Sequence, residues 1–208
     1  HESVTLDSLK GVYNRDKDLS MKYLPTVLDQ LHKYGKVIYF KDNEKLKDIV
    51  WLNPAKTVEY IHQKVLNKRL INKHNGILEK ETFENSVKNP KILELLIENK
   101  VIFLDETISE TPKYIIPGYL PLVKKTQENY FILSDFSDCN FILKFRNFIP
   151  FGFMNRLVCY YGKNPEVKHY WRDQIIFTSK EQKAKINVKL DFENLEIRVT
   201  IKPLTKNV

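Results

Sequence analysis

The chain has 208 residues, 42% of them hydrophobic, and a formal net charge of +8. That is ample material for one packed domain or two modest ones, and no run approaches the ~18 continuous apolar residues of a membrane span or forms a charged-then-apolar leader. Cys139 and Cys159 lack CxxC spacing, so a reduced, cytoplasmic protein with two buried thiols fits better than a disulfide framework. The lysines are scattered along amphipathic stretches and read as solvated faces, although acidic partners remain compatible with the charge. His1-Glu2 at the start, without an initiator Met, suggests a piece of something longer.

Residues 1–19 have little periodicity and read as a partly ordered lead-in. From Ser20, Leu24, Val27, Leu28, Leu31 and Tyr34 recur at helical spacing, Pro25 marks the first regular turn, and Gly35 supplies the stop. Val37-Ile38-Tyr39-Phe40 and Ile49-Val50-Trp51-Leu52 read as short buried strands. Asn53-Pro54 is an N-cap followed by a first-turn proline, and Val58, Ile61, Val65 and Leu66 form the expected inner face of the next helix. After a basic turn at Lys68 to Asn75, Gly76-Ile77-Leu78 begins a small strand, and Glu79 to Val87 reads as a short helix. Pro90 opens a clearer helix with an Ile92, Leu93, Leu96, Ile97 stripe, followed by strands at Val101 to Leu104 and Tyr114 to Ile116. Two helices and then a two-stranded wing suggest a winged-helix-like unit.

Beyond Pro121 the composition shifts, and a domain boundary falls near residue 122. Tyr130 to Leu133 and Asn140 to Arg146 read as a pair of strands. Pro150 suits a first helical position, with Phe153 and Leu157 buried one turn apart and the helix ending near Gly162. Tyr170 to Phe177, Ala184 to Phe192 and Leu195 to Lys202 are further strands, the last two joined by a Glu193-Asn194 turn. Ile186, Val188 and Leu190, like Ile197, Val199 and Ile201, alternate with polar residues, so one sheet face is dry and the other wet or covered by a partner. The fold class is therefore α+β: an N-terminal winged-helix-like α/β subdomain, then a mainly antiparallel sheet with one packed helix.

Several chemistries lack their residues. A nucleotide-hydrolysing loop ends Gly-Lys-Ser/Thr, and none of the six glycines precedes that pair. The five histidines show no paired ligand spacing, and Cys159 sits in an apolar Leu157-Val158-Cys159-Tyr160-Tyr161 run that suits an inert thiol. No catalytic, cofactor-binding or metal site is expected in this chain.

The Phe148-Ile149-Pro150-Phe151-Gly152-Phe153 corner ahead of Arg156-Leu157, followed by Tyr170-Trp171-Arg172, resembles the second half of the COR domain of Roco proteins. In that family COR follows a Ras-like GTPase domain called Roc, and the leucine-rich-repeat kinases belong to it. The first half agrees in order: Leu31 to Phe40 resembles the family's opening helix and strand, Asp48 to Pro54 the next strand and helix start, Gly76-Ile77-Leu78 the small turn, and Tyr114 to Pro121 the proline-ended wing. Ala55-Lys56 departs from the pattern, where many members place an aromatic just after the proline. The resemblance runs from about residue 20 to residue 177 and points to a prokaryotic leucine-rich-repeat Roco protein.

The resemblance implies a scaffold with two jobs. Residues 1–19 lead in from the GTPase domain, residues 20–122 form the first subdomain, which faces it, and residues 123–208 form the second, which dimerises. The family's second subdomain usually ends with a further helix, so this one is expected to be truncated. GTP and magnesium belong to the parent protein, a GTP hydrolase; the partners are the Roc domain of the same chain and a second copy. Leu93, at the edge of its stripe, with Leu96 and Ile97, is the candidate GTPase-facing patch. Phe151 and Tyr160, flanking the helix that buries Phe153 and Leu157, are candidate dimer contacts, with Arg156 at the rim and Arg172 on the exposed side of the sheet. The alternative is a winged-helix nucleic-acid binder reading through Pro90 to Asn99. Glu94 and Glu98 offset Lys91 and Lys100 there and would repel a phosphate backbone about as much as attract it.

Overall fold

The computed structural model describes residues 3–13, 21–87, 89–107, 111–124, 127–134, 136, 140–164 and 169–204. It divides into two compact units, His1–Lys68 with Glu84–Leu95 and Arg69–Phe83 with Leu96–Val208. The architecture is mixed α and β with antiparallel sheets, as the sequence pattern implies. None of the described helices is long and apolar enough to cross a membrane.

In the first unit, β1 (Ser3–Thr5) pairs antiparallel with β2 (Ile49–Trp51) and leads into α1 (Leu6–Tyr13). Residues 3–13 are the described part of the partly ordered lead-in that the sequence suggests. They are ordered because Thr5 Oγ1 accepts the Ser8 N–H at 3.2 Å, while Val4, Leu6 and Leu9 pack against a small core. That core holds Leu24 and Leu28 of α2 (Leu24–Lys33) with Val37, Tyr39 and Val50. Val27 and Tyr34 were expected on the same face, but they are 42% and 75% exposed. Val37 to Phe40 makes only a single bridge, Ile38 to Trp51, instead of a strand. Asn53 caps α3 (Pro54–Tyr60), its side chain accepting the Lys56 N–H at 3.0 Å. The helix continues as a wider π turn over Ile61–Val65, and Thr57, not the expected Val58, is the buried residue of α3. Thr57 can be buried because its hydroxyl donates to the Asn53 carbonyl at 2.9 Å.

In the second unit, β3 (Ile77–Glu79), β4 (Phe103–Asp105) and β5 (Lys113–Ile115) form a sheet in the order β3-β5-β4. In chain order α4 (Lys68–Lys73) precedes β3, and α5 (Lys80–Val87) and α6 (Pro90–Glu98) come between β3 and β4, with Glu84–Leu95 of these two helices belonging to the first unit. Gly76 adopts φ +75°, and a Cβ there would lie 2.8 Å from the Ile116 carbonyl oxygen. Only glycine fits that turn.

A five-stranded antiparallel sheet, β6-β10-β9-β8-β7, follows: β6 (Phe141–Lys144), β7 (His169–Tyr170), β8 (Gln174–Ser179), β9 (Ala184–Asp191) and β10 (Glu196–Pro203). One face carries α8 (Phe153–Tyr161); Met154 and Val158 sit in a core with Ile175, Val188 and Ile197, joined by Phe103 and Ile115 of the smaller sheet. The other face is not simply wet. Gln174 donates to Asn187 at 2.9 Å, and both are buried. Phe136 is buried between the ammonium groups of Lys185 and Lys202, at 5.6 and 5.8 Å from its ring centre.

Two segments of this unit differ from the sequence pattern. Residues 130–133 belong to a helix, α7 (Gln127–Ser134), and not to a strand. A four-residue apolar run does not distinguish the two by periodicity, and inside the helix the Asn129 side chain donates to the Lys124 carbonyl at 2.8 Å. Pro150 does not open α8: the chain makes a turn, Gly152 takes φ +70°, and the helix starts at Phe153. Met154 and Val158 are consequently the buried pair, while Phe153 and Leu157 are half-buried beside them. Cys139 lies outside the described residues.

Candidate interaction surface

The expected GTPase-facing patch divides on burial. Leu93 and Leu96 are 8% and 2% exposed, so the apolar width of α6 is consumed by the chain's own core, and Ile97 is half-buried. The polar side of the helix is tied down too. Glu94 accepts from Lys45 Nζ at 2.7 Å, and Lys91 Nζ donates to the Lys45 carbonyl at 2.7 Å.

The expected dimer residues stand at the surface in two groups. Gly152, in its left-handed conformation, turns the chain so that Phe151 projects 92% exposed. Its ring stacks on that of Phe148, itself 60% exposed, at 6.2 Å and 18°. Beside them is a groove of about 350 Å³, walled by Phe148, Phe151, Phe192, Leu190 and Leu195. Arg172 is the charged residue of that lining, held in place where its backbone N–H donates to the Pro121 carbonyl at 3.0 Å. Arg156 and Tyr160 form the second group, one turn apart on the exposed side of α8. Tyr160 packs edge-on to Tyr161, which stacks on Phe177 at 3.9 Å and so anchors an exposed ring to the core.

A further apolar surface lies on β6, which the sequence pattern marks only as a strand. Phe141, Ile142 and Leu143 of β6 are 48%, 42% and 41% exposed, although they form an edge strand of the main sheet. The signal was present as three consecutive apolar residues, which an edge strand cannot hide on one face.

Several other polar groups are engaged within the fold. Asp105 is buried and accepts from Tyr170 OH at 2.9 Å and from the Thr107 N–H and hydroxyl at 2.7 Å each. Burial, followed by the Asp105 charge, raises the Tyr170 phenol well above its ordinary pKa. Desolvation pushes the Cys159 thiol up to about 12, and its Sγ lies 3.2 Å from the Lys100 carbonyl. Such a thiol is not a nucleophile at neutral pH. Arg198 bonds Glu196 at 3.0 Å and reaches Asp191 at 3.4 Å, an ion-pair cluster across β9 and β10.

The family model for the C-terminal of Roc, COR-A domain, matches residues 5–120. The chain is similar to a protein named Roc-COR-CHAT protease from an unidentified prokaryote, 24% identical over 185 residues, covering 82% of this chain and 16% of that one. It is also similar to the Roc-COR-CHAT protease of Runella zeae, 32% identical over 139 residues, or 64% and 14% of the two chains. The chain thus matches a minor part of the length of these curated relatives.

Proposed function

Because this chain belongs to the C-terminal-of-Roc, COR-A family, we propose that it is a non-catalytic module that couples protomer association to GTP binding and hydrolysis by a Roc domain of the same protein. GTP and magnesium belong to that Roc domain in this reading, and the cytoplasm is the compartment. The relatives' printed names join Roc, COR and CHAT protease, which supports a parent protein carrying a neighbouring GTPase domain and adds a protease to the leucine-rich repeats that the resemblance implies. The observation that carries the dimerisation half is the aromatic surface at Phe148 and Phe151, with Tyr160 and Arg156 beyond it. Exposed, mutually stacked rings held out by a left-handed glycine are costly to leave in water and are typical anchors of a protein interface. A two-fold pair is the commonest way to cover them.

Contact with Roc is assigned to the part of the chain that matches the family, with Ile97 the member of the α6 trio that keeps accessible surface. The sequence α4, β3, α5, α6, β4, β5, with β3 beside β5, supports a winged-helix-like reading of residues 68–115. Nucleic-acid binding is disfavoured, since Lys91 and Glu94 on its would-be recognition helix are engaged with Lys45. Sedimentation equilibrium tests the reading. A concentration-dependent dimer is expected, and a chain extended upstream through Roc is expected to hydrolyse GTP at a rate that changes with its dimer fraction. A strict monomer up to high micromolar concentration in both forms would refute it.

A further inference from the structure

We propose that the two protomers join by antiparallel pairing of strand β6 with the same strand of a second copy, centred on Leu143, so that two five-stranded sheets become one. This rests on the dimer reading above and specifies its geometry.

The backbone groups of β6 alternate between its partner strand and the open edge. The strand pairs with β10 in the register Glu196↔Lys144, Ile197↔Leu143, Arg198↔Ile142 and Val199↔Phe141. Just past its end the Phe145 N–H donates to the Leu195 carbonyl directly opposite, at 2.9 Å. Hydrogen-bonded pairs alternate along an antiparallel ladder, so the N–H and C=O of Leu143 and Phe141 also face β10. Those of Ile142 and Lys144 therefore face the open edge, and among the described residues no hydrogen bond from this backbone crosses it. Protein edges of this kind are normally blunted by charge, proline or a covering element. Among the described residues only Lys144 does so, and its ammonium group is drawn back over the sheet to Glu196 at 3.1 Å.

The edge is also self-complementary. With Leu143 on the two-fold axis, Ile142 lies opposite Lys144 of the other copy, and all four outward-facing groups of each strand find partners. Leu143 meets its own equivalent, and Phe141 meets Phe145. All three lie on the face of Ile197 and Val199, the face that carries α8, so the apolar surface runs on across the junction. No like charges stand opposite one another, a condition for stable cross-strand pairing. Moving the axis by one residue, to Ile142, brings Lys144 opposite Asn140, whose N–H is already given to Val199 at 3.1 Å. That register leaves outward groups unused. Four residues of strand fall short of the ~800 Å² per partner of a stable interface, and the Phe148 and Phe151 rings, on the loop that follows β6, supply the flanking contact.

A cysteine scan of the 208-residue chain, in a Cys139→Ser background, tests the geometry. Non-hydrogen-bonded partners in an antiparallel pair have Cα atoms about 4.5 Å apart, within disulfide reach of ~4.4–6.8 Å. Leu143→Cys should give a covalent dimer under mild oxidation, and Ile142→Cys should give much less. Ile142→Pro removes an outward N–H without touching a bond to β10, a position where edge strands accept proline. It should abolish the dimer and leave the circular dichroism spectrum unchanged. A dimer by sedimentation with no Leu143→Cys cross-link, or one undisturbed by Ile142→Pro, overturns the β6 geometry and leaves the dimer reading standing. A monomer at every concentration overturns both.

Discussion

Replacing Phe151 by alanine separates folding from association in one variant. The ring is 92% exposed and its main neighbour is Phe148, stacked at 6.2 Å. Almost no apolar area is lost from the folded monomer, and the change in unfolding free energy should stay within about 0.5 kcal/mol. The dimer is a different matter, because a two-fold interface contains the residue twice. Covering one phenylalanine contributes about 1.5–3 kcal/mol. Removing both rings should cost ~3–6 kcal/mol, a fall of roughly 10²–10⁴-fold in association at about 1.4 kcal/mol per tenfold. Sedimentation equilibrium over the micromolar range reads the second quantity, and thermal melting followed by tryptophan fluorescence reads the first. An unchanged association constant would show that Phe151 lies outside the interface. A melting temperature several degrees lower would show that the ring packs within the monomer, against its observed exposure.

Further predictions concern the fold that holds this surface. Met154→Ala should destabilise by ~2–5 kcal/mol, and by more than Leu157→Ala, because Met154 is buried in the core under α8 and Leu157 only half-buried; urea titration giving the reverse order would refute the helix register. Gly76→Ala should cost more than the ~1–2 kcal/mol of a left-handed residue alone, since its Cβ would meet the Ile116 carbonyl at 2.8 Å; a melting curve equal to the parent's would refute that turn. The side-chain and then the backbone hydrogen bond from Asn194 hold the Asp191 carboxyl below the usual carboxylate range. A depressed folded pKa adds stability that is complete above the unfolded value and lost as pH falls through the folded one, so the deficit of Asn194→Ala should be largest at neutral pH and shrink below about pH 4. Melting curves from pH 7 to pH 2 check this, and a deficit independent of pH would count against it.

The sequence by itself determined the elements whose local chemistry is unambiguous. Asn53-Pro54 sets the start of α3, since the cap needs only the residues beside it. The two long strands β9 and β10 follow from period-two alternation, and their turn from Glu193-Asn194. The family was equally legible, because the ordered set of glycine and proline corners is a property of chain order and not of packing. Burial at the margins of each apolar stripe was decided by tertiary structure. Val27 and Tyr34 of the α2 region are exposed while Leu93 is covered, yet all sit at comparable edges of their helical patterns. A helix face is buried only as far as its neighbour extends, and that extent is absent from the pattern. The α8 register turned on Gly152, whose positive φ delays the helix past the proline that was expected to start it. The open edge of β6 could appear only once the strand order was fixed, because Phe141-Ile142-Leu143 reads identically in the middle of a sheet, where both faces and both edges are covered, and at its border, where they are not.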